Sequence, residues 1–205
     1  MAPRIEFYFD FGSPNAYLAY RVLPGIARRL GTKVELKPAL LGGIFKATGN
    51  QSPAVTLAGV PAKAAYERRE TERFVARHGL TKYRFNPAFP INTLTLMRGA
   101  MLAKRLGVFE AYVEAVYVAM WEDALNMGEL DVFHGVLERA GLPVAEFAQH
   151  IGDADVKAAL IASTEEAVGR GVFGSPAFFV GQEMFFGKDR LGEVEAEFVR
   201  QRDGG

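Results

Sequence analysis

The tetrapeptide Phe-Gly-Ser-Pro occurs twice in this chain of 205 residues, at 11–14 and at 173–176. Each copy places a hydroxyl directly before a proline, at Ser13 and at Ser175. The chain contains no cysteine, which excludes a cysteine nucleophile, a disulfide framework and a cysteine zinc site. No histidine or other general base stands near Ser13 in the sequence, so a serine nucleophile is disfavoured. At a helix start, such a hydroxyl can instead stabilise an anion, because unpaired amides and the helix dipole favour negative charge there.

The two copies of this tetrapeptide lie in different local patterns. The first copy follows an apolar, β-branched and aromatic run at 5–10 and precedes apolar residues at helical spacing, so it forms a strand-to-helix turn. Ser13 is expected to be the helix N-cap and Pro14 the first helical residue. The second copy precedes two short strand patterns joined around Gly181 and Gln182, which indicates a β-hairpin.

The order of the predicted elements indicates the fold class. A β-α-β unit with its second strand at 33–38 opens the chain, helical patterns dominate to about residue 170, and a β-β-α unit closes it. This order favours an α/β protein with a thioredoxin-like four-stranded mixed sheet and a large all-helical insertion. We expect a thioredoxin-like domain at 1–37 and 171–205 and a helical insertion domain at 38–170.

Within the helical part, three expectations concern particular residues. A helix is expected to run from Val108 through Trp121 to Asn126, with Trp121 packed in the core. The segment 84–93 contains two prolines and two asparagines, a composition typical of a turn-rich loop. Asn92 and Thr93 are expected to cap the helix that follows this loop.

Composition and charge argue against several classes of function. The chain has 24 basic and 24 acidic residues and no basic stripe, which predicts that nucleic acid is not a partner. No apolar stretch is long enough to span a membrane. The N-terminus lacks the pattern of a signal peptide, which predicts a cytoplasmic protein. Three histidines lie far apart without ligand spacing, so no metal site is expected.

Four segments of the chain resemble the 2-hydroxychromene-2-carboxylate isomerase family, which is related to kappa-class glutathione transferases and to DsbA-type oxidoreductases. The segments are FDFGSPNAYLA at 9–19, GNQSPA at 49–54, FNPAFPINTLTLMRG at 85–99 and GVFGSPAFFVGQEMFFGKDRL at 171–191. The resemblance covers nearly the whole chain in order. It implies a homodimeric, glutathione-dependent enzyme of aromatic degradation, in which the glutathione thiolate adds reversibly to a small aromatic carboxylate.

The resemblance also implies roles for the two Phe-Gly-Ser-Pro copies. A redox member of this fold would carry cysteines at positions 13 and 16, whereas this chain has Ser13 and Ala16. Ser13 would therefore stabilise the thiolate of bound glutathione. Ser175, before a cis Pro176, would bind the cysteinyl backbone of the tripeptide as an added strand does.

The remaining glutathione contacts implied by the resemblance lie in three other segments. At the γ-glutamyl end, Asp189 would bind the ammonium of the ligand, and Arg190 or the helix N-terminus would bind its carboxylate. Lys188 would also contact this end. Asn50 and Lys63 would close on the glycyl end, where a cation suits a carboxylate.

Two other functions stay open on the sequence. A kappa-class-like glutathione transferase or peroxidase would use the same thiolate and release a conjugate or an oxidised product. A non-catalytic thioredoxin-like binding protein would need Ser13 only as a helix cap. The transferase or peroxidase would differ from an isomerase in its acceptor pocket. The binding protein would differ from both enzymes because it would not bind glutathione.

Overall fold

A mixed β-sheet lies at the centre of the computed structural model, which describes residues 3–57 and 59–204. Within those residues the sheet has four strands in the order β2-β1-β3-β4. The strands are β1 (Ile5–Phe9), β2 (Val34–Pro38), β3 (Ala177–Val180) and β4 (Glu183–Phe186). β1 pairs with β2 in parallel and with β3 in antiparallel fashion, and β3 pairs antiparallel with β4. The topology confirms the thioredoxin-like sheet and the hairpin around Gly181.

Helices pack against the sheet and fill the segment between β2 and β3. They are α1 (Pro14–Leu30), α2 (Leu41–Thr48), α3 (Pro53–Thr56), α4 (Pro61–His78), α5 (Leu94–Leu106), α6 (Phe109–Trp121), α7 (Leu130–Arg139), α8 (Val144–His150), α9 (Ala154–Gly169) and α10 (Leu191–Asp203), with a 3-10 turn at Lys188–Arg190. One hydrophobic cluster joins the sheet residue Phe9 to Tyr117 of the helical segment. The division into two domains therefore stays a prediction. None of the helices in the described ranges has the length and hydropathy needed to cross a bilayer.

A glycine follows the last residue of three of the helices. Gly31, Gly79 and Gly107 follow α1, α4 and α5 with φ values of 65°, 64° and 72°. This left-handed conformation is favoured by glycine, and its N–H groups satisfy carbonyls of the last turn. The ends of these three helices are therefore a local property of the sequence.

The end of α6 differs from the prediction. The helix stops at Trp121 and does not continue to Asn126. The side-chain amide of Asn86 donates to Met120 O, in the last turn of the helix, at 2.9 Å and to Leu125 O, beyond its end, at 2.8 Å. Arg84 N donates to Trp121 O at 2.7 Å. The loop at 84–93 thus takes the carbonyls that a longer helix would use.

Trp121 lies in the core, as predicted, and also joins two parts of the fold. Its side chain is fully buried, and its Nε1–H donates to Phe11 O at 2.8 Å. A buried indole N–H needs such an acceptor. The bond fixes α6 against the first Phe-Gly-Ser-Pro copy, so the helical segment helps to position the strand-to-helix turn.

Candidate functional site

Ser13 begins α1 in the way that its sequence context predicts. Its backbone is extended, its Oγ accepts a hydrogen bond from Ala16 N at 3.1 Å, and Pro14 occupies the first helical position. The Oγ–H donates to Ser175 O at 2.9 Å. Only 6% of the Ser13 surface is exposed. One hydroxyl therefore caps the helix and joins the two Phe-Gly-Ser-Pro copies.

The second copy turns its backbone toward the first. The Ser175–Pro176 peptide bond is cis, as predicted. The Ser175 hydroxyl is occupied inside the fold, because its Oγ accepts from Asp10 N at 3.2 Å. Ser175 N, by contrast, finds no acceptor among the residues that the structure describes. This residue thus presents an unused main-chain donor beside a carbonyl that is bonded to Ser13.

The first turn of α1 leaves one amide unused. Pro14 has no N–H, and the amides of Ala16 and Tyr17 donate to Ser13 O. Asn15 N has no acceptor within the described part of the chain. This N–H and the positive end of the helix dipole favour an anion at the start of α1.

Asp10 organises the turn, although sequence reasoning assigned it no role. Its side chain is fully buried. Its Oδ1 accepts from Gly12 N at 2.8 Å and from Thr93 Oγ1 at 2.7 Å, and its Oδ2 accepts from Leu41 N at 2.8 Å. Burial raises the pKa of Asp10, whereas these three hydrogen bonds act in the opposite direction. Asp10 thus ties β1 to the starts of α2 and α5. The sequence signal that could have identified Asp10 is an acidic residue directly after the apolar run of β1.

The structure corrects the expectation for Thr93 and confirms that for Asn92. Asn92 Oδ1 accepts from Leu94 N at 3.0 Å, as a residue capping the start of α5 does. Thr93 occupies the N-cap position, but its side chain makes no capping bond because its hydroxyl donates to Asp10. A Cβ on Gly12 would lie 3.1 Å from Thr93 Cγ2. Glycine at this position therefore permits the close approach.

The 3-10 turn before α10 lies next to the second copy. Gly187 N donates to Pro176 O at 3.0 Å. Lys188 is 4% exposed, its Nζ donates to both carboxylate oxygens of Asp189 at 2.8 and 3.0 Å, and it lies 5.0 Å from the centroid of the Phe74 ring. A nearly buried ammonium is thus paired with a carboxylate that is itself 58% exposed. The pair leaves Asp189 accessible to a ligand.

The other predicted site residues are placed less closely together. Asn50 Nδ2 donates to Phe173 O at 2.8 Å, so it contacts the start of the second copy. Arg190 pairs with Glu193 at 2.7 Å on the surface. Lys63 is exposed in the first turn of α4, and its ammonium pairs with no other residue that the structure describes. Of the predicted positions outside the two copies, Asn50 is the one that the described residues show hydrogen-bonded to either copy.

Within residues 3–57 and 59–204, no group of three or more histidine, cysteine, aspartate or glutamate side chains could hold a metal ion.

Comparisons with known proteins agree with this architecture. The family model of the DSBA-like thioredoxin domain matches residues 4–199. A 2-hydroxychromene-2-carboxylate isomerase of Sphingobium xenophagum is 30% identical over 196 residues, 96% of this chain and 98% of that protein. Glutathione S-transferase kappa 1 of Rattus norvegicus is 30% identical, covering 93% of this chain and 88% of that protein. A solved structure of a 2-hydroxychromene-2-carboxylate isomerase has a TM-score of 0.81 at 26% identity, and the match covers 98% of both chains. The chain therefore belongs to the 2-hydroxychromene-2-carboxylate isomerase family of proteins with a DsbA-like thioredoxin domain.

Proposed function

We propose that this protein is a glutathione-dependent isomerase of 2-hydroxychromene-2-carboxylate or a related intermediate of aromatic degradation. The observation that carries the proposal is the Ser13 hydroxyl at the start of α1, bonded to Ser175 O in a chain without cysteine. A thiol needed for this chemistry has to come from a ligand. The names of the relatives support the class of reaction, since they include isomerases of this substrate and a glutathione transferase.

The residues at the turn suit a bound thiolate. When bound, glutathione supplies a sulfur nucleophile that adds reversibly to the ring-opened substrate and permits rotation about a former double bond. Ser13 stabilises the negative charge with its hydroxyl, and Asn15 N–H and the α1 dipole act in the same direction. Ser13 is not the nucleophile, because no general base contacts its Oγ among the described residues.

Ser13 has to change its acceptor to perform this role. Its proton is now bonded to Ser175 O, so donation to a sulfur anion requires rotation of the hydroxyl about the Cβ–Oγ bond. The bond from Ala16 N uses a lone pair of Oγ and is compatible with either acceptor. Rotation releases Ser175 O at the same time. Ser175 then has both its carbonyl and its N–H free to pair with the cysteinyl backbone of the tripeptide.

Five further side chains are proposed to hold the two ends of glutathione. Asp189, fixed by Lys188, accepts from the γ-glutamyl ammonium. Arg190 pairs with the γ-glutamyl carboxylate after exchange from Glu193. Asn50 and Lys63 contact the glycyl carboxylate. Because the Lys63 ammonium pairs with no other described residue, this contact requires no exchange of partner.

We further propose that the protein is a cytoplasmic homodimer. Exposed apolar side chains on and beside α3 and α4 support an interface between two copies: Val55, Val60 and Tyr66 are 62%, 47% and 57% exposed. Sedimentation velocity tests this assembly, and a monomer at micromolar concentration contradicts it.

The experiment that tests the function measures glutathione binding by calorimetry and follows turnover of 2-hydroxychromene-2-carboxylate. An isomerase forms trans-o-hydroxybenzylidenepyruvate with glutathione recovered unchanged. Ser13→Ala should lower kcat strongly. Ser163→Ala is the matched control, because Ser163 Oγ also donates to a main-chain carbonyl, that of Pro38 at 2.7 Å, and not to a proposed glutathione contact. Equal loss of activity in both variants contradicts the role of Ser13.

The kappa-class relatives support one alternative function, a glutathione transferase or peroxidase. In that case glutathione is consumed in proportion to product, which the same assay measures. Absence of glutathione binding contradicts both enzyme functions and leaves a non-catalytic thioredoxin-like binding protein.

A further inference from the structure

A groove between α2, α5 and α9 lies on the helical side of the molecule. It has a volume of about 580 Å³, within the range of small-molecule sites. Leu40, Leu94 and Leu160 contribute apolar side chains to its lining. Such walls suit an aromatic or aliphatic ligand rather than a sugar or a peptide end.

The charges along this groove are unbalanced. Lys46 of α2, Arg98 of α5 and Lys157 of α9 line it, against a single carboxylate, that of Glu165, among the described residues of the lining. None of these three cations forms an ion pair or hydrogen bond through its side chain within the described ranges. Arg21, by contrast, has carboxylate partners on α6. Three unpaired cations around an apolar groove complement an anionic group on an apolar ligand.

The groove adjoins the buried carboxylate of the candidate site. Leu40 and Leu94 line it, and each is next in sequence to a donor to Asp10: Leu41 N at 2.8 Å and Thr93 Oγ1 at 2.7 Å. Asp10 N in turn donates to Ser175 Oγ. The lining of the groove and the two serines are therefore connected through one residue.

We propose that this groove binds an aromatic carboxylate, with the ring against the leucines and the carboxylate held by Arg98, Lys46 and Lys157. Binding depends on the residues of the groove alone. Assignment of this ligand as the acceptor in the thiolate reaction rests on the function proposed above.

The test is a calorimetric titration of the full chain, without glutathione, with 1-naphthoate and with 1-naphthalenemethanol. The carboxylate should bind saturably and more tightly than the alcohol, and added salt should reduce that difference. Arg98→Gln and the exposed Lys157→Gln should each weaken naphthoate binding about threefold or more. Glu165→Gln should strengthen it. Lys33→Gln, which removes an exposed cation outside the groove, is the control and should change nothing.

Three results would overturn the inference. The first is equal affinity for naphthoate and the alcohol. The second is an equal effect of Lys33→Gln and Arg98→Gln. The third is a change of oligomeric state in Arg98→Glu by sedimentation velocity, which would make the groove an interface between copies. Glutathione binding without naphthoate binding removes this inference and leaves the proposed function. Naphthoate binding without glutathione binding supports the groove and removes the proposed function.

Discussion

Substitution of Ser13 by alanine should raise the pKa of the bound glutathione thiol by about one unit. In the structure the Ser13 hydroxyl donates to Ser175 O, a neutral hydrogen bond with a net value of about 0.5–1.5 kcal/mol. Donation to a thiolate is charge-assisted and contributes about 1.5–3 kcal/mol. The exchange therefore favours the thiolate by about 1–1.5 kcal/mol, and one pKa unit corresponds to about 1.4 kcal/mol.

The remaining depression of the thiol pKa should survive in Ser13→Ala. The α1 dipole and the unused Asn15 N–H do not depend on the serine hydroxyl. A charge at a helix N-terminus is stabilised by about 0.3–2 kcal/mol. Ser13→Ala should thus leave the thiol more acidic than free glutathione, and Ser13→Thr, which keeps a hydroxyl, should resemble the wild type.

The assay follows the ultraviolet absorbance of the thiolate against pH at saturating glutathione, with S-methylglutathione as the blank. Wild type, Ser13→Ala, Ser13→Thr and the Ser163→Ala control are compared. An unchanged thiol pKa in Ser13→Ala would refute the charge-assisted bond. A rise of equal size in Ser163→Ala would show a general loss of structure. A return to the pKa of free glutathione in Ser13→Ala would refute the contribution of the helix terminus.

Three further predictions concern the buried polar groups. Because burial raises the pKa of Asp10 above its ordinary value of 3.8, ionisation of Asp10 costs stability. The difference in free energy of unfolding between wild type and Asp10→Asn should be largest below pH 3.8, decrease as pH rises through the raised pKa, and stay level above it. Urea titrations at several pH values measure this difference. A difference that does not change with pH contradicts the prediction. Tyr117 Oη is buried without a partner among the described residues, so Tyr117→Phe should be more stable by about 1 kcal/mol. Tyr112→Phe loses a hydrogen bond to a main-chain carbonyl at 2.8 Å and should be less stable by about 1 kcal/mol. Urea unfolding should therefore change in opposite directions in the two variants, and a change in the same direction contradicts the prediction. Asp189→Asn should lower the free energy of unfolding by about 1–3 kcal/mol, because it leaves the nearly buried Lys188 ammonium unpaired. The same variant should bind glutathione about tenfold more weakly. Unchanged binding by calorimetry would show that Asp189 does not contact glutathione.

Local signals were sufficient for much of the fold. The cap at Ser13, the left-handed glycines after α1, α4 and α5, and the hairpin at Gly181 depend on groups a few residues apart. The order of strands and helices then indicated the topology of the sheet. The cis bond before Pro176 and the identity of the candidate site came from the resemblance to a family, because a lone serine before proline has many structural roles.

The sequence by itself determined where helices and strands begin, which side chains are apolar, and that no protein thiol is present. Only the tertiary structure decided which distant groups meet. The bond between Ser13 and Ser175 joins residues 162 positions apart, and that between Thr93 and Asp10 joins residues 83 apart. Likewise, Asn86 ends α6 from 34 positions away. Such bonds form because packing removes these polar groups from water and leaves only the partners that the fold brings near them, which no pattern of neighbouring residues encodes.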